Sequence, residues 1–186
     1  MGRTLFVGDV HGCSHELRLL LELADPERVI LVGDLFTKGP DPRGVWKLIK
    51  EWRCEAVIGN HDAAVLRTWK PGRELPRKAF RWLGSLPHLI KERDFIAVHA
   101  GINPEKPGRT TRREAMHLRD WGGRPWWKQY RGKRLVLHGH HAREGLLDRR
   151  PYVLGLDTDC VGGGWLSGYL LERDDVVTVR ARRRND

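Results

Sequence analysis

The chain has 186 residues, 40% of them hydrophobic and 31% charged, a balance that excludes an intrinsically disordered protein and favours one globular domain with its own core. No apolar run approaches the roughly 20 residues that a membrane-spanning helix needs, and no signal-peptide pattern is present, so we expect a cytoplasmic location and no membrane partner. The formal net charge of +10 indicates an anionic partner such as a phosphate, a nucleotide or a nucleic acid.

The three cysteines, Cys13, Cys54 and Cys160, are widely spaced. Their spacing matches neither a zinc-binding CxxC pattern nor a disulfide framework. The sequence therefore predicts free thiols in a reducing compartment.

Short apolar runs alternate with helical patterns in the first part of the chain. Strands are predicted at 4–7, 28–32 and 55–58. Helices are predicted at 14–24, 41–52 and 62–69. This β-α-β-α-β order predicts a parallel sheet with right-handed crossovers.

The rest of the chain is less regular. Residues 70–92 hold three prolines and two glycines and are predicted to form an insertion beside the site, with one short helix. Strands predicted at 94–98 and 134–137 flank a basic, Trp-rich stretch at 110–133. Three further strands, mostly antiparallel, are predicted to complete the chain.

Polar side chains follow the predicted strands at the points where the strands end. In chain order they are Asp9, His11, Asp34, Asn60, His61, Asp62, His99 and His140. Because the carboxyl ends of strands in an open α/β sheet meet at one crevice, we expect these side chains to lie within a few ångströms of one another. A single acid after a strand is more often a helix cap, but five such junctions in succession predict a functional site.

A cluster of carboxylates and imidazoles is costly without a cation, because of mutual repulsion and desolvation. Two divalent metal ions would remove this cost. Oxygen and nitrogen ligands without thiolates suit Mn²⁺, with Fe, Zn, Co or Ni as alternatives. Two ions about 3.5–4 Å apart that share a carboxylate form the arrangement used for in-line displacement at phosphorus. We therefore predict a dinuclear metal site at the carboxyl ends of the strands.

Six short motifs carry a resemblance to a known family. They read GDVHG, GDLFTKGP, GNHD, HAG, GHH and LDTDCVGGG, in that order, across about residues 4–170. As a set they resemble the calcineurin-like metallophosphoesterases, specifically the phosphoprotein-phosphatase branch, which also holds the bacterial symmetrical diadenosine-tetraphosphate hydrolases. The resemblance implies an α/β fold, a mixed β-sandwich flanked by helices with antiparallel C-terminal strands. It would form one domain over 1–186, with a lid region at about 103–133.

The resemblance also implies a division of the metal ligands. Asp34 would bridge the two ions. The other ligands would form two sets, namely Asp9, His11 and His140 for one ion, and Asn60 and His99 for the other.

The same resemblance implies a reaction. His61 would be the general acid that protonates the leaving oxygen, with Asp62 as its partner. A hydroxide held by the metal ions would attack phosphorus in line, and no phosphoenzyme is expected.

Two residues depart from the family pattern. Lys38 stands where the family usually has Arg, and a lysine can neutralise a phosphate but lacks the bidentate fork. Asp159 stands where relatives usually have Gly, and it either adds charge near the site or is a solvent-facing turn residue.

The stretch HLRDWGGRPWW is the predicted source of further substrate contacts. Arg119 and Arg124 are candidates for contacts with phosphate oxygens, beside Lys38. The tryptophans of this stretch either stack on a base or pack the lid against the sheet. His138 and His141 flank His140, and we expect both to have structural or supporting roles.

The sequence thus predicts a metal-dependent hydrolase of phosphate esters or phosphoanhydrides. Its substrate would be a diadenosine polyphosphate or another nucleotide, or a phosphoprotein, as in bacterial serine/threonine phosphatases. One alternative is a nucleic-acid phosphatase or nuclease, which the charge of +10 supports although no clear basic groove pattern accompanies it. Another is a non-catalytic binding module, which the intact His61–Asp62 pair and the six ligand positions argue against.

Overall fold

The computed structural model describes residues 2–72 and 74–182. In these ranges the strands are β1 (Thr4–Val7), β2 (Arg28–Leu31), β3 (Glu55–Ala56), β4 (Leu89–Lys91), β5 (Phe95–Val98), β6 (Asp120–Trp121), β7 (Arg124–Pro125), β8 (Leu135–His138), β9 (Leu147–Arg149), β10 (Val153–Gly155), β11 (Trp165–Leu170) and β12 (Asp175–Arg180). The α-helices are α1 (Ser14–Ala24), α2 (Pro42–Glu51), α3 (Asn60–Thr68), α4 (Arg77–Gly84) and α5 (Arg112–His117). None of the helices in these ranges has both the length and the apolar character needed to cross a membrane.

The first sheet has the strand order β12-β11-β1-β2-β3. β1, β2 and β3 pair in parallel, as the β-α-β-α-β pattern predicts, whereas β11 and β12 add on as antiparallel strands. β3 is shorter than predicted because the Ile58 N–H turns away to the Pro87 carbonyl. The helix that follows begins two residues earlier than expected, at Asn60.

The second sheet has the order β4-β5-β8-β10-β9. β8 lies between β5 and β10 and pairs with both in parallel, while β4 and β9 are antiparallel edge strands. β10 was predicted with the antiparallel C-terminal strands, yet it joins this second sheet beside β8. The two sheets and their helices form the mixed α/β sandwich that the family resemblance implies.

A layer of buried apolar side chains fills the space between the sheets. Phe6 of β1 and Phe95 of β5 meet edge to face with ring centroids 4.8 Å apart, and Ile30, Leu137 and Tyr169 pack in the same cluster. Each such side chain contributes roughly 1.5–3 kcal/mol when it leaves water. This layer fixes the strands of both sheets relative to one another, and therefore fixes the loops that follow them.

Helices cover the outer face of the first sheet. The start of α2 is set by Pro42 at its first position and by the Asp41 carboxylate, which accepts the Gly44 N–H at 2.8 Å. Residues 70–92 contribute α4, whose Ala79 and Leu83 are fully buried in the cluster beneath these helices. The same segment ends in the edge strand β4.

Replacing Trp126 by Phe is expected to destabilise the protein by roughly 1–3 kcal/mol. Trp126 is fully buried, and its indole N–H donates to the Ala100 carbonyl at 3.0 Å, so the smaller ring loses both a hydrogen bond and packing. Urea denaturation measures the effect. The matched change Trp165→Phe, at a site 44% exposed, should cost less than about 0.5 kcal/mol. Equal losses in the two variants would contradict this account of the core.

Candidate active site

The loops after β1, β2, β8 and β10 and the start of α3 meet at one cleft of about 600 Å³. Five of the six predicted metal ligands line it, namely Asp9, His11, Asp34, Asn60 and His140. The sixth, His99, is fully buried behind the cleft, and its Nε2 lies 2.8 Å from Asn60 Oδ1. The prediction that these distant residues come together at the strand ends agrees with the geometry.

Asp34 lies at the centre of the cluster. One carboxylate oxygen is 3.6 Å from His11 Nε2, and the other is 3.5 Å from His99 Nε2. The backbone N–H of His61 also donates to Asp34 Oδ1 at 2.9 Å. Each oxygen of the Asp34 carboxylate therefore faces a different imidazole, an arrangement compatible with the predicted bridging role.

The hydrogen-bond pattern of His99 shows that the cluster fits a metal ion. His99 Nδ1 lies 2.9 Å from the Val32 carbonyl, which can only accept, so Nδ1 carries the proton. Burial lowers the pKa of His99 to about 3, so the ring is neutral and Nε2 presents a lone pair. That lone pair faces Asn60 Oδ1 at 2.8 Å and Asp34 Oδ1 at 3.5 Å. Two side-chain oxygens and the lone pair of a neutral imidazole are thus directed at one another, and a cation bound among them would offset their mutual repulsion.

Two groups of candidate ligands share Asp34. Ligand atoms lie within 4.8 Å of one another in the group His11, Asp34 and His61, and in the group Asp34, His99 and His140. His140 was expected to join Asp9 and His11, but its ring lies with His99, with centroids 5.0 Å apart. The reason is topological: β8 pairs with β5 in the second sheet, so the loops after these two strands end side by side.

Asp9 is held by the backbone of the opposite sheet. Its carboxylate accepts the His140 N–H at 3.2 Å, and its Oδ2 is 4.0 Å from His11 Nε2. Burial, together with the neighbouring charges of Asp157 and Asp34, raises the pKa of Asp9 well above its ordinary value. Keeping several buried carboxylates ionised in one place is therefore unfavourable in free energy. Bound divalent cations would offset this through their positive charge.

The imidazoles of His11 and His140 are uncharged near neutral pH, the form in which a histidine can bind a metal ion. Burial lowers the pKa of His11 to about 3 and that of His140 to about 2. His11 Nε2 faces the Lys38 ammonium at 3.2 Å, while Nδ1 lies 3.1 Å from the Thr37 hydroxyl. Nε2 is therefore the acceptor nitrogen, and it points at a positive charge.

Asp62 is held by backbone N–H groups. It is fully buried, and its carboxylate accepts the backbone N–H groups of Asp34, Leu35 and Gly59 at 2.8–3.0 Å. Both oxygens are used in this way, because Asp62 occupies the third position of α3 and faces back toward the Asp34 loop. These hydrogen bonds join the loop that carries Asp34 to the start of α3, and the pairing of Asp62 with the His61 ring stays a prediction.

The predicted phosphate-binding residues divide between the cleft and its surroundings. Lys38 and Arg119 line the cleft. Arg124 lies on β7, exposed to solvent, and is not among the described residues that line the cleft. A cation that the sequence analysis did not select, Arg143, lines the cleft from the short 3-10 helix after His141.

Asp157 is the second residue that sequence reasoning missed. It is 7% exposed and lines the cleft, and its Oδ1 accepts the Asp159 N–H at 3.2 Å. Burial raises its pKa. The available signal was its position in LDTDCVGGG, two residues after the buried strand β10. Asp159 itself also lines the cleft.

The aromatic side chains near the cleft mainly pack. Trp126 is fully buried, and Trp127 is 5% exposed but reaches the cleft. His141 donates from Nε2 to the Ala100 carbonyl at 3.0 Å. His138 is fully buried between these rings, with its Nε2 left without a hydrogen-bond partner among the described residues. These contacts support structural roles for His138 and His141.

The backbone of the cleft is unusual. Five non-glycine residues that line it have positive φ angles: His11 (45°), Asp34 (54°), Lys38 (68°), His140 (68°) and Asp159 (57°). Residues with a Cβ enter this left-handed region at a cost on the order of 1 kcal/mol each. Their concentration here shows that the loops are bent to direct side chains into the cleft.

Comparison with known proteins places these features in a family. A symmetrical bis(5'-nucleosyl)-tetraphosphatase from Edwardsiella ictaluri is 39% identical over 137 residues, which cover 62% of this chain and 49% of that protein. An asymmetrical bis(5'-nucleosyl)-tetraphosphatase from Oceanobacillus iheyensis is 25% identical, with 95% of this chain and 92% of that protein aligned. The match to the symmetrical enzymes covers only about half of their length.

Solved structures share the fold. A protein proposed to be a diadenosine tetraphosphatase superposes with a TM-score of 0.89 at 32% identity, covering 98% of this chain and 95% of that one. A serine/threonine phosphatase from Saccharomyces cerevisiae superposes with a TM-score of 0.69 at 14% identity, which indicates the fold alone. The pattern that defines the calcineurin-like phosphoesterases matches residues 2–176, nearly the whole chain, and the protein therefore belongs to that family.

Proposed function

We propose that the protein is a dinuclear-metal-dependent hydrolase of dinucleoside polyphosphates such as diadenosine tetraphosphate. The observation that carries the hydrolase assignment is the convergence of Asp34 Oδ1, Asn60 Oδ1 and His99 Nε2 on one point, where a divalent cation would be bound. The nucleotide assignment is supported by the relatives, which are named bis(5'-nucleosyl)-tetraphosphatases. The chain's positive charge of +10 also suits a substrate that carries several phosphates.

Six residues would hold the two ions. Asp34 would be shared, with Asp9 and His11 on one side and Asn60, His99 and His140 on the other. Bound divalent ions, of which we favour Mn²⁺, would polarise the phosphate and make a water molecule a stronger nucleophile. Asp62 would hold the Asp34 loop against the start of α3 through its three backbone hydrogen bonds.

His61 would act as the general acid. It stands at the first turn of α3 and lines the cleft, with its ring centroid 5.1 Å from that of His11. Burial lowers its pKa, and the Asp34 carboxylate opposes this shift. The negative charge of a phosphate bound beside the ring would raise the pKa of His61, as the Asp34 carboxylate does. It would therefore favour the protonated imidazole, which donates to the leaving oxygen.

Three cations would receive the polyphosphate chain. Lys38 lies at the metal cluster, while Arg119 and Arg143 line the cleft farther along it. Residues 103–133 would act as the lid, since Arg119 and Trp127 of this region reach the cleft. Trp127 is largely buried against His138 and His141, so we assign it to the wall of the cleft.

A turnover panel with added Mn²⁺ tests the proposal. The substrates are diadenosine tetraphosphate, a phosphoserine peptide, p-nitrophenyl phosphate and a single-stranded oligonucleotide. We expect the dinucleotide to have a kcat/KM at least about tenfold above the others, which corresponds to 1.4 kcal/mol of selective transition-state binding. Preference for the peptide would favour a protein phosphatase. Hydrolysis of the oligonucleotide alone would overturn the substrate assignment, and binding of Mn²⁺ without any turnover would indicate a binding module.

A further inference from the structure

A second cluster of possible metal ligands lies outside the cleft lining. The Sγ atoms of Cys13 and Cys160 and a carboxylate oxygen of Glu16 all lie within 4.8 Å of one another. The three residues are 6%, 4% and 7% exposed, respectively. Two sulfurs and one carboxylate are thus enclosed together in the protein interior.

Two separate parts of the cleft rim supply these residues. Cys13 immediately precedes α1 and lies two positions after His11, and Glu16 is in the first turn of the same helix. Cys160 begins the short 3-10 helix Cys160–Gly162 and directly follows Asp159, which lines the cleft. The fold therefore places two cysteines side by side, although their wide spacing in the sequence gave no indication of a shared site.

The contacts within the cluster are polar. A hydrogen bond between the two thiols, together with burial, raises the pKa of Cys160. Glu16 Oε1 accepts the Arg182 N–H at 3.0 Å, and the Cys13 thiol approaches the His11 carbonyl at 3.9 Å. A buried carboxylate beside two sulfurs gains little from apolar packing, so its enclosure points to an ionic partner.

The donor set and its spacing match a zinc-like ion. Zn²⁺ takes thiolate sulfur at about 2.3 Å and carboxylate oxygen at about 2.0–2.2 Å, in tetrahedral geometry. Tetrahedral bonds of that length put ligand atoms about 3.5–4 Å apart, which is compatible with the 4.8 Å limit of this cluster. Sulfur is not among the side chains lining the cleft in the described ranges, so the two sites differ in chemistry.

We propose that Cys13, Glu16 and Cys160 form a third metal site, selective for a thiophilic divalent ion such as Zn²⁺. The ion joins the start of α1 to the 3-10 turn and so fixes two parts of the cleft rim. Three protein ligands leave one tetrahedral position for a solvent molecule. This site goes beyond the proposed hydrolase function, and its test does not depend on turnover.

Titration of the reduced, metal-free full chain with Co²⁺ provides the test. Cobalt bound to thiolate gives a sulfur-to-cobalt charge-transfer band, which ligands of the cleft cannot give. We expect Co²⁺ in excess over the cleft positions to produce a band whose final intensity corresponds to one thiolate-bound ion, and Zn²⁺ to remove it. Cys13→Ser and Cys160→Ser should lose the band, whereas the matched control Cys54→Ser, another buried free cysteine, should retain it. Glu16→Gln should retain the band with at least about tenfold weaker binding.

The absence of the band from the wild-type chain would overturn the proposal, and so would its persistence in either serine variant of the cluster. Circular dichroism verifies that each variant is folded. If the serine variants do not fold, zinc K-edge absorption of the wild-type chain decides: two sulfur ligands at about 2.3 Å support the site, and nitrogen or oxygen ligands alone refute it. A count of one free thiol in the denatured protein, with Cys13 linked to Cys160, would show a disulfide instead and would also refute it.

Discussion

Replacing His61 by Asn is expected to lower kcat for diadenosine tetraphosphate by about 10²–10⁴-fold, the usual contribution of a general acid. Asn preserves a polar side chain of similar reach but cannot release a proton to the leaving oxygen. His61 is not assigned as a metal ligand, so metal content measured by elemental analysis should stay near that of the wild type. Steady-state kinetics with saturating Mn²⁺ measures the loss.

The leaving group separates this role from a structural one. p-Nitrophenyl phosphate has a good leaving group that needs little protonation, so His61→Asn should lose much less activity on it than on the dinucleotide. A purely structural defect would lower both rates equally. His88→Asn, which changes a half-buried histidine that does not line the cleft, is the matched control and should leave both rates unchanged. Equal losses on both substrates would falsify the general-acid assignment.

Replacing Asp34 by Asn should remove metal binding from both positions and reduce activity to background. Removing a supporting partner of a metal ligand lowers metal affinity by roughly 10–100-fold. Removing a ligand shared by both ions should lower metal affinity by more than this. Elemental analysis and steady-state kinetics measure the two effects. An Asp34→Asn variant that retains two ions and measurable turnover would rule out a bridging role.

The same variant should change the stability of the metal-free protein with pH. Burial raises the pKa of Asp34 from 3.8 to about 6, so the folded state disfavours the charged carboxylate. The protonated Asp34 carboxyl therefore contributes to the free energy of unfolding below about pH 4. That contribution is lost as pH rises through about 6. Asn cannot ionise, so the variant should equal the wild type near pH 4 and exceed it near pH 7.5, by on the order of 3 kcal/mol.

Urea denaturation of both proteins in the presence of a chelator gives this difference at each pH. Comparison of variant with wild type isolates the effect of the Asp34 charge, which includes its influence on the pKa values of His61 and Asp9. Asp94→Asn, at a side chain 74% exposed, should leave the curve unchanged. Added Mn²⁺ should stabilise the wild type at pH 7.5 and have little effect on Asp34→Asn.

Most of the first sheet, and the meeting of the polar strand-end residues at one cleft, could be predicted from the sequence. Each of β1, β2 and β5 is a mostly apolar run with a polar residue of the cluster one to three positions after its end, so the strand and the polar residue occur together in the chain. The parallel start followed from the alternation of strands and helices. The separation of β10 from the last two strands was not predictable. β8 and β10 pair in parallel, but the 14 residues between them show no helical pattern that would indicate a parallel crossover.

The parts of the site that the sequence did not predict depend on the exact path of the loops. The position of His140 beside His99 is decided by the pairing of β8 with β5, a contact between segments far apart in the chain. Asp62 follows His61 directly, but the helical backbone sends its carboxylate back to the amides of Asp34 and Leu35. Side-chain direction at a helix start depends on local dihedral angles, which a list of motifs does not contain.

The left-handed residues around the cleft have a consequence for engineering the protein. At Lys38 or His140, with φ angles of 68°, glycine would relieve the backbone but remove a functional side chain. Selection for heat resistance alone would therefore favour glycine at these positions, and selection for turnover would remove it again. The cleft is thus the region where a more durable protein and a more active one require opposite sequences.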